Sequence, residues 1–499
     1  MSSLRRGKHG FEDYEATWEI EADVVVLGAG AGGCAAACVL AEAGLRVAVV
    51  EEGRHWKNTD FQPSNPWAFK NLYQERGTRI ALGNGWLPVN GGRGVGGSTL
   101  INSAISFKTP APIVEDWRER VGFDPDGDFL EHVEHVWNTI GVAKNPPQVQ
   151  GNNNHVFKRG AQALGWHAEF LDRSAPGCTG CGVCQLGCPS GGKNSVDKTY
   201  LALALRHQVG VYADCKATGV ETSGSRVVAV TGHTVDPETH EAVGRWRIKA
   251  DKVLVSAGPI GSPRFLMANK LAPNGHCGQH LHLHPASGVY AIFHERIEHW
   301  RGVSQGTYVD RWEDGFLLQT ATVTPDANFL GLTAQLGPEV NELMAQLPHM
   351  AIAGALIHDE DTVGRVSQDG IFFEFGEHDR KVLLEGLRAC SKLFFAAGAH
   401  TVLPSVVGAG PLTSADQVDS AISLDTPFHR ILAVASHPMG TCRMGDDRTQ
   451  SVVDPRGQVW GWDNLYVADA STFPTSLGVN PQVTVMAMGR MVGANIARS

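Results

Sequence analysis

The hydrophobic positions of the chain follow two periods, about 3.6 residues as in helices and 2 residues as in strands. The clearest pattern lies near the N-terminus. Residues 22–53 give an apolar run, a glycine cluster, an alanine-rich segment of helical length and a second apolar run. This order predicts a strand, a tight turn, a helix and another strand, the unit that binds dinucleotides in α/β proteins. Gly28, Gly30 and Gly33 place G-x-G-x-x-G in the turn, where the missing side chains admit a pyrophosphate and a closely packed helix.

An acid and two cysteines belong to the same unit. Glu51 ends the second predicted strand 23 residues after Gly28, where a carboxylate can accept hydrogen bonds from ribose hydroxyls. Cys34 and Cys38 lie four positions apart on the predicted helix, and we interpret them as small buried core residues. A glycine triplet alone is a weak signal, but the strand, turn, helix, strand and acid together predict a nucleotide site.

The middle of the chain mixes the two periods. Residues 371–375 belong to a short alternating run, whereas Lys381 to Ala397 has the spacing of an amphipathic helix that ends at Gly398. We therefore interpret residues 286–430 as a sheet-based α+β domain.

The last quarter carries two polar residues beside predicted elements. Residues 465–471 predict a strand, and residues 483–496 predict a helix with Pro481 in its first turn. His437 precedes the strand and Asn480 precedes the helix. A positioned imidazole can take a proton from a hydroxyl group, and a helix N-terminus offers backbone donors to a negative group. The alternative is a buried histidine and a helix-capping asparagine.

Composition narrows the class of protein. With 499 residues the chain exceeds one compact core, so we expect two or more domains. Hydrophobic residues make up 42% and charged residues 19%, as in ordinary soluble proteins. The net charge of −10 argues against a nucleic-acid partner. The basic first ten residues lack a following apolar run, so we expect no secretory signal, no transmembrane segment and a cytoplasmic location.

A second glycine-rich stretch, residues 91–108, carries five glycines in its first seven positions. Such density makes either a flexible loop or a backbone surface that presses against a flat ligand. The stretch resembles the Gly-Gly-Ser-Ser/Thr-x-x-Asn segment of glucose–methanol–choline (GMC) oxidoreductases, which lies against the flavin. The resemblance implies that FAD contacts Gly97, Ser98, Asn102 and Ala104. Some members attach the flavin through a His before that Asn; Ile101 stands here, so we expect no covalent bond to FAD.

The resemblance covers nearly the whole chain. Residues 256–266 resemble the second signature of the family, and residues 278–285 resemble its G-x-x-L-x-x-H-P segment. His437 falls on the catalytic histidine of the family and Asn480 on its second active-site position. Further FAD contacts implied by the resemblance are Asp469, Ala470, Pro481 and Gln482. The region from 285 to 430 is most similar to the long-chain alcohol oxidase branch.

The same resemblance implies a fold. We expect an α/β protein with a Rossmann-type FAD-binding domain and a sheet-based α+β substrate domain. The FAD-binding domain would be built from residues 15–110, 195–285 and 431–499. Residues 286–430 would form the substrate domain, and residues 111–194 would form a cap with a cysteine-rich segment.

Three histidines alternate at His280, His282 and His284. On a strand they would share one face and could suggest a metal site. No acid or cysteine has a matching register, so we assign them an ordinary role in a loop and strand.

Residues 177–189 depart from the ordinary family pattern. Cys178, Cys181, Cys184 and Cys188 have the C-x2-C-x2-C-x3-C-P spacing of bacterial iron–sulfur ligands, and the glycines between them let the backbone wrap a cluster. Some GMC dehydrogenases bind a cluster through C-x5-C-x3-C, which Cys178, Cys184 and Cys188 match. We predict an iron–sulfur cluster, with 4Fe–4S ahead of 3Fe–4S. The alternatives are a zinc ion and a reduced cysteine-rich loop without metal.

The function implied by the resemblance is oxidation of a small primary or secondary alcohol to a carbonyl. His437 would act as base, Asn480 would hold the alkoxide, and FAD would take the hydride. The predicted cluster would pass electrons to a possible one-electron carrier. One rival is an oxidase that uses oxygen without a cluster. Another is a lyase of the same fold without net redox chemistry, and a role in electron transfer alone would leave His437 and Asn480 unused.

Overall fold

The computed structural model describes residues 2–328, 332, 334 and 339–499. The described part is built on a nine-stranded sheet and a seven-stranded sheet, with two smaller sheets of four and two strands. Met1 lies outside the described residues, as do positions 329–331, 333 and 335–338 of the predicted substrate domain.

The nine-stranded sheet is organised around parallel strands. Thr17–Leu27 lies between Val47–Val50 and Ala242–Val255, and Val209–Tyr212 follows beyond Val47–Val50. Leu465–Val467 pairs with the end of Ala242–Val255. Apolar residues at 24–26 and 47–50 are fully buried, the pattern of parallel strands covered on both faces. The remaining strands of this sheet are Ser2–Ser3, Gly7–His9, Cys215–Ser223 and Arg226–Val235.

Two helices, Ala31–Glu42 and Gln482–Arg498, pack against each other beside this sheet. Their backbones approach closely, since a Cβ atom added at Gly489 would lie 2.3 Å from the carbonyl oxygen of Gly32. Only a residue without a side chain fits there. The contact fixes the helix that follows Asn480 relative to the glycine turn at the start of the chain.

The seven-stranded sheet is antiparallel and is covered on one face by the helices Glu377–Ala396 and Asn152–Ala163. Side chains alternate along Phe316–Thr320: Phe316 and Leu318 pack under these helices, whereas Leu317 packs into the core of the nine-stranded sheet. This second face, which also carries Gln319, is directed to the junction of the two sheets. The other strands are Ala168–Phe170, Ala286–Ile292, Thr307–Arg311, Met350–Ile357, Thr401–Pro404 and Ala433–Val434.

The four-stranded sheet has the order Val363–Val366, Ile371–Glu374, Ile80–Leu82 and Trp86–Pro88. Its last strand continues to Val89, which forms a bridge with Ala435, so this sheet adjoins the segment that leads to His437. The two-stranded sheet pairs Ala143–Lys144 with Asp172–Arg173. The remaining α-helices are Asn65–Leu72, Ala111–Val121, Phe129–Thr139, Tyr200–Ala204, Gly258–Ala268, Glu339–Ala345 and Val418–Ala421.

The two glycine-rich stretches of the sequence contact each other through their backbones. Gly97 has a φ of +52°, and a Cβ atom added there would lie 2.7 Å from the Cα atom of Gly30. A residue with a side chain would therefore be strained by its backbone conformation and would also overlap the turn. This contact places the second stretch directly beside the first.

The predicted architecture of a dinucleotide-type α/β sheet with a second, sheet-based domain is confirmed. The two predicted helices are present as Glu377–Ala396 and Gln482–Arg498. The predicted strand at 465–471 is shorter, because Asp469 caps the following turn by accepting a hydrogen bond from the Ser471 backbone N–H at 2.7 Å. The domain boundaries stay a prediction. Within the described residues, no helix has both the length and the apolar character needed to cross a membrane.

The contact between Gly97 and Gly30 gives a test of packing. Gly97→Ala should lower the free energy of unfolding by about 1–3 kcal/mol more than Gly224→Ala does, because overpacking costs roughly this much. Gly224 is the matched control, since its φ is +59° and a Cβ atom there would meet nothing within 4 Å. Thermal and denaturant unfolding measure the difference. Equal losses in the two variants would show that backbone strain alone, and not the contact, makes glycine necessary at position 97.

Candidate active site

The glycine turn leaves open space at a helix N-terminus. Gly28 has a φ of +111°, and a Cβ atom there would lie 2.2 Å from the Ser256 carbonyl oxygen; one on Gly33 would lie 2.1 Å from the Gly28 carbonyl oxygen. A Cβ atom on Gly30 would meet nothing within 4 Å, and Gly30 caps the helix Ala31–Glu42. Backbone N–H groups in this position bind phosphates. The geometry therefore fits a pyrophosphate beside Gly30.

Glu51 is buried and its carboxylate holds this region together. Its Oε2 accepts a hydrogen bond from the Ala29 N–H at 3.0 Å, and its Oε1 accepts from Gly53 at 3.0 Å and Gly94 at 3.1 Å. Burial and the nearby Glu52 raise the pKa of Glu51 to about 7, against the effect of the three backbone donors. The carboxylate thus joins the glycine turn to the second glycine-rich stretch.

The predicted FAD contacts of the second stretch are linked to the C-terminal helix. Asn102 Nδ2 donates to Gln482 Oε1 at 2.9 Å, and the backbone of Ala104, whose φ is +59°, donates to Asn102 Oδ1 at 3.2 Å. Ser98 Oγ accepts from the Gly92 N–H at 2.9 Å. Residues of positions 98–104 and 482 therefore form one hydrogen-bonded unit.

Asp469 and Ala470 connect two further segments. Asp469 Oδ2 accepts from the Gly258 N–H at 2.9 Å and from Ser262 Oγ at 2.6 Å, and burial raises the pKa of this carboxyl. The Ala470 carbonyl oxygen accepts from the Gly440 N–H at 3.0 Å. This second bond ties the turn after the strand Leu465–Val467 to the segment that carries His437.

The structure brings His437 and Asn480 together, although 43 positions separate them. Asn480 Nδ2 lies 3.3 Å from His437 Nε2, and Pro481 caps the helix Gln482–Arg498 immediately after Asn480. Gln319, on the second sheet, donates from Nε2 to Asn480 Oδ1 at 2.9 Å. Because Oδ1 is thus occupied, the amide N–H groups of Asn480 are directed to His437. The sequence prediction missed Gln319, whose signal is a polar side chain inside the apolar strand Phe316–Thr320.

The surroundings keep His437 neutral. Burial lowers the pKa of His437 to about 4, against the negative charge of Asp359, which raises it. Among the described residues, Nδ1 of His437 is buried without a hydrogen-bond partner. A proton on Nδ1 leaves Nε2 as an acceptor beside Asn480, which is the state that a general base needs.

His284 forms the wall behind His437, a role that the sequence prediction did not assign. The two rings meet edge to face with centroids 5.5 Å apart. Nε2 of His284 accepts hydrogen bonds from the backbone N–H groups of Leu477 at 3.1 Å and Gly478 at 2.9 Å. These residues lie in the turn just before Asn480. The expectation of an ordinary loop-and-strand role was therefore too limited for this histidine.

Asp359 is the fully buried centre of a polar network behind His284. Its carboxylate accepts hydrogen bonds from the backbone of Leu283 at 3.0 Å and of His284 at 3.2 Å, and from Ser476 Oγ at 2.8 Å. His282 Nδ1 lies 3.4 Å away, at ion-pair distance. Burial alone would raise the pKa of Asp359, but His282 and the backbone donors outweigh it and hold this pKa well below its usual range.

The cysteine-rich segment does not support the predicted cluster. Within the part of the chain that the structure describes, no three His, Cys, Asp or Glu side chains lie together in a way that could hold a metal ion. Cys181 is exposed, Cys178 is half-buried, and Cys184 and Cys188 are buried. The prediction of an iron–sulfur site at these four cysteines is therefore not supported: the spacing is present, but no three of the thiols form a group that could hold a metal ion.

Two buried cations explain the arrangement of the thiols. The guanidinium of Arg173 donates to Cys178 Sγ at 3.5 Å and to Cys184 Sγ at 3.4 Å. The ammonium of Lys193 donates to the carbonyl oxygens of Leu100, Asn102 and Cys184 at 2.8, 2.8 and 3.1 Å. Burial would raise the pKa of Cys184, but Arg173 and Lys193 outweigh it and lower this pKa. The segment thus braces the loop at 97–104.

Comparison with known proteins identifies the family. Two family models described as GMC oxidoreductase match residues 69–286 and 373–489, and a model described as FAD binding domain matches residues 23–62. An uncharacterized GMC-type oxidoreductase from Mycobacterium tuberculosis is 33% identical over 94% of this chain and 75% of its own length. A long-chain-alcohol oxidase from Arabidopsis thaliana is 28% identical over 99% of this chain and 69% of its own length.

A solved structure agrees on the fold. Pyridoxine 4-oxidase from Mesorbium loti superimposes with a TM-score of 0.72 at 16% identity, over 96% of this chain and 99% of the other. At this identity the likeness concerns the fold alone. Together with the open glycine turn, the family models and relatives show that the chain belongs to the GMC oxidoreductase family and is an FAD-dependent enzyme that acts on CH–OH donors.

Proposed function

We propose that the enzyme oxidises an alcohol to a carbonyl compound with His437 as the base. The observation that supports this most directly is the 3.3 Å approach of Asn480 Nδ2 to His437 Nε2, with Gln319 fixing the orientation of the amide. A hydroxyl group placed between them can donate its proton to Nε2 and accept a hydrogen bond from Nδ2. A neutral imidazole beside an amide donor is therefore suited to the removal of a hydroxyl proton.

The chemistry divides between the cofactor and the chain. Bound FAD supplies the acceptor for the hydride that leaves the carbinol carbon. His437 Nε2 takes the hydroxyl proton, so that the alcohol loses one proton and one hydride and becomes a carbonyl. Asn480 Nδ2 hydrogen-bonds the oxygen as its negative charge develops. Asn480 is buried and His437 is half-buried, so little water reaches the two groups once the alcohol is bound.

We assign the contacts with FAD to residues of three segments. The turn supplies Gly28, Gly30 and Gly33 for the pyrophosphate and Glu51 for the ribose. The loop at 97–104 and the residues around the C-terminal helix supply the flavin side, through Gly97, Ser98, Asn102, Ala104, Asp469, Ala470, Pro481 and Gln482. Because Ile101 cannot form a bond to the flavin, we propose that FAD is held without a covalent link.

We propose oxygen as the acceptor of the electrons. Exit through an iron–sulfur cluster has no support in the arrangement of the cysteines, because the sulfur atoms of Cys178 and Cys184 contact Arg173. Relatives and fold neighbours of the chain are named as oxidases, among them the long-chain-alcohol oxidase of Arabidopsis thaliana. Oxidation of one alcohol by one O2 then yields one carbonyl and one H2O2.

The surface near the site favours an alcohol with an apolar chain. The outer face of the four-stranded sheet carries exposed Ile80, Leu82, Trp86 and Val363. The strand Trp86–Pro88 runs on to Asn90, whose N–H donates to the Ala435 carbonyl oxygen at 2.9 Å, two residues before His437. An apolar face that leads to the base offers contact area for a hydrocarbon chain.

The role of the two polar residues can be measured separately from binding of FAD. His437→Ala should slow flavin reduction by alcohol by a factor of roughly 10²–10⁴, the usual contribution of a positioned base. Asn480→Ala should cause a smaller loss, because the base remains. Anaerobic stopped-flow absorbance gives the rates, and released flavin gives the FAD content, which should barely change. Near-normal reduction in His437→Ala would refute the assignment, and a wild type whose flavin no alcohol reduces would favour a lyase.

The acceptor is tested by stoichiometry. Under air, the wild-type enzyme should consume one O2 and form one H2O2 for each alcohol oxidised. An oxygen electrode and a coupled peroxidase assay measure the two quantities. Protein purified without oxygen should contain neither iron nor acid-labile sulfide. Stoichiometric iron and sulfide, together with slow reoxidation of the flavin by oxygen, would contradict this proposal and support the predicted cluster.

The apolar face is tested with matched surface variants. Leu82→Gln should raise KM for a long-chain alcohol by roughly three- to tenfold, because part of the apolar area of a leucine is lost, and should leave a short-chain alcohol unaffected. Val243→Gln is the control: Val243 is 54% exposed, as Leu82 is, but lies on the nine-stranded sheet. A loss of the same size in both variants, or for both alcohols, would contradict the proposed contact.

A further inference from the structure

The network behind His437 contains two charged groups that the proposed reaction leaves without a role. Four titratable side chains surround Asp359: His282, His284, His358 and Asp379. Burial lowers the pKa of both His284 and His358, so these rings are neutral. Burial raises the pKa of Asp379 to about 7, so this carboxyl is protonated in acid. Burial opposes a charge on His282 as well, but Asp359 outweighs it and raises the pKa of His282.

Asp359 and His282 therefore form one buried ion pair beside the neutral rings of His284 and His358. Asp361 is a further negative charge in this region: it accepts a hydrogen bond from the Asp379 backbone, and such backbone bonds outweigh burial and lower its pKa. His284 stands between this pair and the base, because its backbone donates to Asp359 while its ring contacts His437. Of the two charges, Asp359 is the one that favours the protonated form of His437. The negative member of the pair thus acts on the base through the neutral ring of His284.

The same carboxylate also fixes geometry. Through Ser476 Oγ it holds the turn that leads to Asn480, and through two backbone donors it holds the segment of His284. The ring of His284 accepts from Leu477 and Gly478 in that same turn. The buried carboxylate of Asp359 therefore helps to position both His437 and Asn480, the two residues that contact the substrate hydroxyl in the proposed reaction.

We propose that Asp359 is a positioning residue for His437, which holds the base and Asn480 in register and stabilises the positive charge that His437 acquires with the alcohol proton. This inference rests on His437 being the base. In a site that little water reaches, a fixed negative charge costs no reorganisation when the imidazolium forms. Removing that charge should weaken the base, whereas removing the positive charge of His282 should strengthen it.

Three variants separate charge from geometry. Asp359→Asn removes the negative charge, and with it the charge of His282, because burial opposes a protonated His282 that lacks this partner. His282→Asn removes the positive charge alone, and Ser476→Ala removes one hydrogen bond without changing any charge. The measured quantity is the rate of flavin reduction as a function of pH, on the acid side, or acid limb, of the profile. The enzyme is stored at neutral pH and mixed in a stopped-flow instrument with alcohol in buffers of decreasing pH. The rate falls on this limb as His437 becomes protonated, so its midpoint reports the basicity of His437.

The expected shifts have opposite signs. Asp359→Asn should move the limb to lower pH by about one unit and slow the plateau rate by roughly three- to tenfold, because only part of the loss of basicity appears in the rate of proton transfer. His282→Asn should move the limb to higher pH, and Ser476→Ala should keep the wild-type limb. A wild-type limb in Asp359→Asn, or shifts of the same sign in Asp359→Asn and His282→Asn, would overturn the proposal. A purely structural role of Asp359 predicts slower reaction without these opposite shifts.

A direct titration covers the case in which Asp359→Asn does not fold. With histidines labelled at Cε1 by ¹³C, the signal that disappears in His437→Ala identifies His437, and its pKa can be read by NMR without turnover. His282→Asn must then raise this pKa, and an unchanged value refutes the inference. Failure of the two proposals is distinguishable: wild-type flavin reduction in His437→Ala refutes the base itself, whereas a slow His437→Ala with an unshifted Asp359→Asn refutes only the role of Asp359.

Discussion

Direct contact between backbones is the constraint on which the cofactor half of the enzyme depends. Gly97 lies against Gly30, Gly33 lies against Gly28, and Gly489 lies against Gly32. A single added carbon at any of these contacts would separate the turn, the loop or the C-terminal helix from its neighbour. Since Asn480 directly precedes that helix, the position of one half of the catalytic pair follows from the same close packing.

Much of this half is predictable from the sequence, because its signals are local. The glycine spacing, the acid at Glu51 and the apolar helix after Asn480 lie within short stretches, and the resemblance to one family adds His437 and its partner. Gln319 could not be predicted in this way, because its partner lies 161 positions away. Asp359 is similarly remote: its partners are 75 to 117 positions distant in the sequence, and only the tertiary fold brings them together.

The cysteine-rich segment shows what the spacing of residues leaves undetermined. Four thiols at ligand intervals predict a cluster, but spacing does not determine where the side chains point or which charges surround them. Arg173 and Lys193 are both buried, and their donors are directed to sulfur atoms and carbonyl oxygens of this segment. A basic residue on each side of the cysteines was the available signal for these contacts, which brace the neighbouring loop.

The hydrogen bond from Gln319 to Asn480 has a consequence for how such enzymes diversify. In the proposed reaction, the strand Phe316–Thr320 orients the amide that contacts the substrate oxygen, so the second sheet and the segment before the C-terminal helix share a residue pair. A chimera that takes its second sheet from one parent and its C-terminal segment from another splits this pair. We therefore expect an active chimera to take positions 319 and 480 from the same parent. Changes in the exposed strands at 80–88 should alter specificity with less loss of activity than exchange of the whole sheet.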